Sequence, residues 1–159
     1  MPSPKLARSL QCSCTNPVRV DLAVDMEGKK IHSYCVLRVK SMVAGCSQVV
    51  LDTRSLKVYK AEQVPPDSSA SKPTEAAQAL KFEFGAADAV LGEPLKIECP
   101  GLTAEGTEVG IGIHFEVSEA STAVQFLTPA QTASKQHPFL FTQCQAIHAR
   151  AFCPCQVGH

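Results

Sequence analysis

Apolar and polar residues alternate with period two along most of this chain. Val18, Val20, Leu22, Val24 and Met26 interleave with Arg19, Asp21, Ala23, Asp25 and Glu27. Glu27-Gly-Lys-Lys30 then reads as a turn, after which Ile31, Ser33, Cys35, Leu37 and Val39 alternate with residues that include His32, Arg38 and Lys40. Successive strand residues point to opposite faces, so the pattern predicts a hairpin with one buried face. Val49-Val-Leu51 and Leu56-Lys-Val58 predict short strands broken near Asp52-Thr-Arg-Ser55. Leu80, Phe82 and Phe84 against Lys81 and Glu83 predict another strand, and Leu95-Lys-Ile97-Glu-Cys99 a further one. The cleanest sets Val109, Ile111, Ile113, Phe115 and Val117 against Gly110, Gly112, His114 and Glu116. Two glycines on its second face predict a close approach there, or a bend.

The alternation lapses in three places. Val64-Pro-Pro-Asp-Ser-Ser-Ala-Ser-Lys-Pro-Thr74 reads as a polar surface loop, not a domain boundary, because too little chain follows for a second core. The alanines of Glu75-Ala-Ala-Gln-Ala79 favour helix. Ala146, Ala149 and Ala151 make one or two helical turns plausible between Gln145 and Phe152. Many short strands with little helix predict a mainly β fold, an antiparallel sandwich or a saddle-shaped sheet, in a single domain over 1–159.

Composition narrows the function classes. A chain of 159 residues is long enough to bury a core, and 45% apolar with 19% charged residues is ordinary for a globular domain. Formal charge sums to zero and Lys and Arg are scattered, so nucleic acid is not the expected partner. No apolar run approaches the roughly 20 residues that span a bilayer, so no membrane partner is expected either. Met1-Pro-Ser-Pro-Lys-Leu-Ala-Arg-Ser-Leu10 lacks the apolar stretch of a secretory signal, which points to a cytoplasmic location.

That location bears on eight cysteines, at 12, 14, 35, 46, 99, 144, 153 and 155, which are then read as reduced thiols. Cys35 and Cys99 fall within apolar alternation and read as small core residues. Cys12-Ser-Cys14 and Cys153-Pro-Cys155 could offer four thiolates to zinc, but structural sites usually leave two to four residues between paired ligands. His148 has no nucleophile beside it, and His137-Pro138 reads as a turn determinant. Asp21, Asp25 and Asp52 read as solvated strand or turn positions.

The most specific stretch lies near the C-terminus. Leu127-Thr-Pro129, Gln131-Thr132, His137-Pro138, Leu140-Phe141 and Gln143-Cys-Gln-Ala-Ile-His148 run in order into Arg150-Ala-Phe-Cys-Pro-Cys-Gln156. In content and spacing this region resembles the M1 zinc aminopeptidases, most closely the leukotriene A4 hydrolase subgroup. Val18-Arg-Val-Asp-Leu-Ala-Val-Asp25 and Gln48-Val-Val-Leu-Asp-Thr-Arg-Ser-Leu56 resemble the family's first strands more weakly.

The resemblance implies a β-rich N-terminal domain that lines one wall of a substrate cleft. It implies that Gln143, Cys144, Gln145 and Ala146 help bind the N-terminal end of a peptide substrate, with Gln145 the direct contact. An α-ammonium carries three donors, and a neutral carboxamide oxygen can complete its shell without adding charge. In the family, zinc and a glutamate base do the chemistry on a separate domain. No His-Glu-x-x-His or Gly-x-Met-Glu-Asn stretch is found here, and His32, His114, His137, His148 and His159 do not assemble one. The expectation is therefore no catalytic residue, no metal site and no cofactor in this chain, with zinc belonging to a domain not present.

After Gln156 the family pattern predicts an Asp-Thr-Pro-like continuation, where Val157-Gly-His159 stands. The resemblance thus implies a truncated domain short of its last strands, with an open sheet edge that binds a partner strand or a chaperone. Peptide would be a partner only in a full-length parent, whose activity would be aminopeptidase and, in this subgroup, epoxide hydrolysis. The alternative is a stand-alone β-rich interaction module that regulates a full-length relative.

Overall fold

The computed structural model describes residues 13–67 and 77–156. Ten strands follow one another: β1 (Ser13–Asp25), β2 (Lys30–Ser41), β3 (Gln48–Thr53), β4 (Leu56–Val64), β5 (Gln78–Leu80), β6 (Phe82–Phe84), β7 (Glu93–Glu98), β8 (Glu108–Ser118), β9 (Val124–Leu127) and β10 (Phe139–Thr142). They form a five-stranded sheet ordered β1-β2-β8-β4-β5, a three-stranded sheet ordered β3-β7-β6 and the hairpin β9-β10, all antiparallel.

The two larger sheets share one apolar core. Ile31, Cys35, Leu37 and Val39 of β2 meet Ile111, Ile113 and Phe115 of β8, Leu51 of β3, and Leu95 and Ile97 of β7, all buried. Each fully buried side chain of this size stabilises by about 1.5–3 kcal/mol, which is why the period-two pattern in β2 and β8 holds so strictly. Cys35 and Cys99 lie in this cluster, as their sequence context predicts.

The turn between β1 and β2 is closed by Asp25, whose Oδ1 accepts the N–H groups of Glu27 at 3.1 Å and Gly28 at 2.9 Å. On the outer face of β8, a Cβ at Gly112 would meet Tyr34 Oη at 2.5 Å, and one at Gly110 would meet the carbonyl oxygen of Pro65 at 2.5 Å. The close approach read from the glycine pair is thus supplied by a ring from β2 and by the backbone leaving β4.

Three expectations are corrected. Val20, Leu22 and Val24 of β1 do not form the expected buried stripe: they pair with Cys35, Ser33 and Ile31, yet remain 38%, 46% and 45% exposed. β1 is the edge of the wide sheet, and the narrower sheet leaves that edge uncovered. Leu80 to Phe84 is two strands, because the chain changes sheets at Lys81: β5 pairs with β4, β6 with β7. Gln78 and Ala79 are extended in β5, since pairing with β4 outweighs alanine's helical preference. The helical turn expected between Gln145 and Phe152 is present as a single 3-10 turn, His148–Ala151. Within the polar loop expected over 64–74, positions 68–74 lie outside the described residues.

Candidate functional site

The residues of the C-terminal motif divide into those that build a platform and those that stand on it. In the β9-β10 hairpin, Leu140 pairs with Phe126, and both pack against the common core. Phe139 and Phe141 face away and are 55% and 40% exposed. The connecting loop is closed by its own polar residues. Thr128 N–H donates to Gln131 Oε1 at 2.9 Å, and the Thr132 hydroxyl lies 2.8 Å from Pro129 O and 3.1 Å from His137 O. Leu127, Gln131, Thr132, His137 and Phe139 border a shallow depression of about 400 Å³ there. Much of the motif's sequence specificity is therefore spent on holding one loop in shape.

Gln143 to Ala146 turn the chain directly after β10. Gln143 N–H donates to Ala123 O at 2.9 Å, which extends the hairpin by one bond. The Gln143 carboxamide oxygen accepts from Gln145 N–H at 3.3 Å, and Cys144 O accepts from His148 N–H at 3.1 Å. The Gln145–Ala146 peptide bond is cis. Gln143, Gln145 and Ala146 are exposed and Cys144 is half-buried. The four residues singled out from the sequence thus form one continuous surface turn.

Beneath the turn lies support that the sequence reading did not identify. Arg150 is 5% exposed; its Nε donates to Ile147 O at 3.0 Å and its Nη1 to Leu91 O at 2.8 Å. Nη1 also lies 3.9 Å from Asp52 Oδ1, so Asp52 is half-buried beside a cation and not simply solvated. Arg150 O accepts from Arg54 N–H at 2.9 Å. The Ser121 hydroxyl donates to Ala151 O at 2.6 Å, and Thr122 Oγ1 lies 2.8 Å from His148 Nδ1, so this histidine is tied to a threonine and not to a reacting group. The only sequence signal of this support is a lone arginine among alanines.

Chemically, the turn offers neutral hydrogen-bonding groups. It carries two exposed carboxamides and backbone carbonyls, with no carboxylate, hydroxyl or basic side chain in the four residues. Such a surface can orient an ammonium or amide group; its single thiol, Cys144, is half-buried, and none of the other three residues supplies a base to activate it or a further metal ligand. Among the described residues no group of three or more His, Cys, Asp or Glu side chains is placed to hold a metal ion. For the four-thiol arrangement weighed from the sequence, Cys12 lies outside the described residues, while Cys153 and Cys155 are free thiols. Among the described residues, no helix is long and apolar enough to cross a membrane.

The sequence profile of the Peptidase M1 N-terminal domain matches residues 15–156. Leucine aminopeptidase 2 of Sclerotinia sclerotiorum is 34% identical over 137 residues, which cover 86% of this chain and 21% of that protein. Leukotriene A-4 hydrolase of Xenopus laevis is 33% identical over 139 residues, covering 87% and 21%. The solved structure of native leukotriene A4 hydrolase from Saccharomyces cerevisiae superposes with a TM-score of 0.71 at 24% identity, over 89% of this chain and 21% of that one. The chain therefore spans about a fifth of the length of the relatives it matches.

Proposed function

The chain belongs to the M1 peptidase family through its N-terminal domain, and from that premise we propose that it is the cleft-lining, non-catalytic β-domain of a leukotriene A4 hydrolase-like aminopeptidase. In this reading Gln145 accepts a hydrogen bond from the α-ammonium of a peptide, while Gln143, Cys144 and Ala146 set the shape of the turn that presents it. The observation that carries the proposal is the exposed Gln143–Ala146 turn held on a buried scaffold of Arg150 and Ser121. A rigid turn loses little entropy on binding, so weak neutral acceptors can still select a ligand.

The chemistry of the parent, removal of N-terminal residues from peptides and, in this subgroup, opening of a lipid epoxide, would come from a separate zinc domain. The described residues do not fit that zinc, because no three His, Cys, Asp or Glu side chains among them converge. A cytoplasmic setting belongs to the same proposal; the six free thiols among the described residues suit a reducing compartment.

The test is to incubate the purified chain, with and without equimolar zinc, with a chromogenic leucine anilide. No turnover above buffer is expected in either case, and zinc-dependent hydrolysis by the chain alone would overturn the non-catalytic reading.

A second reading has its own support. The apolar stripe Val20, Leu22 and Val24 lies on an edge strand, where a regulatory module could pair with a full-length relative. Co-purification with such a relative favours that reading. If the two migrate independently when mixed, it fails.

A further inference from the structure

One edge of the wide sheet is open and apolar, and peptide binding at the Gln143–Ala146 turn makes no use of it. Val20, Leu22 and Val24 are exposed there, and among the described residues β1 pairs only with β2. We propose that this edge joins a second copy of the chain, β1 against β1 in antiparallel register about a two-fold axis at Leu22.

The backbone is set for such a pairing. Thr15 N–H leaves the β1-β2 ladder for Gln156 Oε1 at 3.0 Å, and Ser13 O accepts from the Gln156 amide at 3.3 Å. Thr15 stands opposite Val39, so Val39 is a β2 residue that exchanges no backbone bonds with β1. Bonded and unbonded pairs alternate along an antiparallel ladder, which puts Leu37, Cys35, Ser33 and Ile31 in the same unbonded class. The register shift between Pro17 and Arg19 then makes Val20, Leu22 and Val24 the partners of Cys35, Ser33 and Ile31. These three residues therefore turn N–H and C=O towards the open edge.

Charge and hydrophobicity select one register. Centring the pair on Leu22 sets Leu22 opposite Leu22 of the second copy, and Val20 opposite Val24 twice over. On the other face Arg19 meets Asp25 and Asp21 meets Ala23. Moving the centre one residue back opposes Asp21 to Asp21, and one residue forward opposes Asp21 to Asp25. Directly opposed like charges destabilise a ladder. Moving it two residues back sets Val24 against the polar Asn16.

The contact is self-complementary, so it closes at two copies. Two five-stranded sheets become one continuous sheet, with about six N–H to O bonds across the axis. Both apolar stripes lie on the same side of that sheet and cover each other. A ladder running from Arg19 to Asp25 stops short of Thr15, so the Gln156 clasp stays in place in both copies.

The experiment uses the full chain. Sedimentation across a concentration series should show a monomer–dimer equilibrium and nothing larger. In Leu22→Cys the two new thiols face each other across the axis, at the ~5.5 Å Cα separation of a bonded pair, within disulfide reach. Mild oxidation should give a covalent dimer whose linked peptides both contain position 22, and dithiothreitol should release it. Ala23→Cys, on the opposite face, should give no more covalent dimer than the parent. Arg19→Asp opposes like charges at both ends of the ladder and should weaken the dimer about tenfold. A parent that is monomeric at every concentration would overturn the proposal. So would a dimer without the link at position 22, position 23 linking as readily as 22, or Arg19→Asp dimerising as tightly as the parent.

Discussion

The side-chain oxygen of Gln156 accepts a hydrogen bond from Thr15 N–H at 3.0 Å, tying the end of the described chain to its first strand. The same oxygen lies 3.2 Å from the Thr15 hydroxyl, and the Gln156 amide donates to Ser13 O and Val50 O at 3.3 and 3.4 Å. One carboxamide thus joins β1 of the wide sheet to β3 of the narrow one. Gln156→Ala removes the clasp and should cost about 1–2 kcal/mol, read as a lower melting midpoint together with faster amide exchange at Thr15. Unchanged exchange at Thr15 would show that the clasp is not what holds this end of β1.

Arg150 carries a larger share. Removing a buried guanidinium leaves Ile147 O and Leu91 O without the Arg150 donors and takes away the cation 3.9 Å from Asp52 Oδ1. Arg150→Ala should cost about 2–4 kcal/mol. Arg150→Lys should recover only part of that, because an ammonium cannot serve two carbonyls in the same fork. Denaturant unfolding of the two variants checks the order. Equal stability of the lysine variant and the parent would contradict it.

The outer face of the wide sheet predicts acid sensitivity. Glu62 is fully buried, which by itself would raise its pKa, but Lys60 at 2.6 Å and His114 at 3.2 Å hold the carboxyl below its ordinary 4.5. A depressed folded pKa contributes stability that is fully present above about 4.5 and is lost as pH falls through the folded value. Glu62→Gln should therefore be less stable than the parent at neutral pH, with the gap narrowing below pH ~4.5. Thermal melts of both proteins across that range make the check. A gap that stays constant with pH would contradict the assignment.

The uncovered edge has its own consequence. Leu22 is 46% exposed on an edge strand that can pair with a second chain, so the protein should self-associate as concentration rises. Leu22→Lys should reduce association while moving stability by no more than about 0.5 kcal/mol. Sedimentation at increasing concentration reads this directly. A parent that stays monomeric throughout would contradict it.

The sequence disclosed strands better than it disclosed layers. Val109 to Val117 declares itself because both its neighbours and the opposite sheet bury the same alternate residues. Leu80 to Phe84 keeps the same alternation but passes between two sheets at Lys81, and period two is blind to which sheet a strand joins. Val20, Leu22 and Val24 show the same limit. Their pattern marks a face correctly, but whether anything covers that face depends on the width of the other sheet.

The site was half legible for a similar reason. Gln143 to Ala146 are contiguous and could be found as a word. Their support comes from Leu91, Ser121 and Thr122, which only the fold brings near.

The most direct test of the account is a backbone and side-chain amide NMR titration of this chain with a short peptide, once with a free α-amine and once N-acetylated. The free amine should shift resonances of Gln143 to Ala146, including the Gln145 carboxamide. Acetylation of the peptide or Gln145→Ala should abolish those shifts. Equal shifts with the acetylated peptide, or shifts that avoid the turn, would contradict the claim that this domain presents Gln145 to a peptide N-terminus.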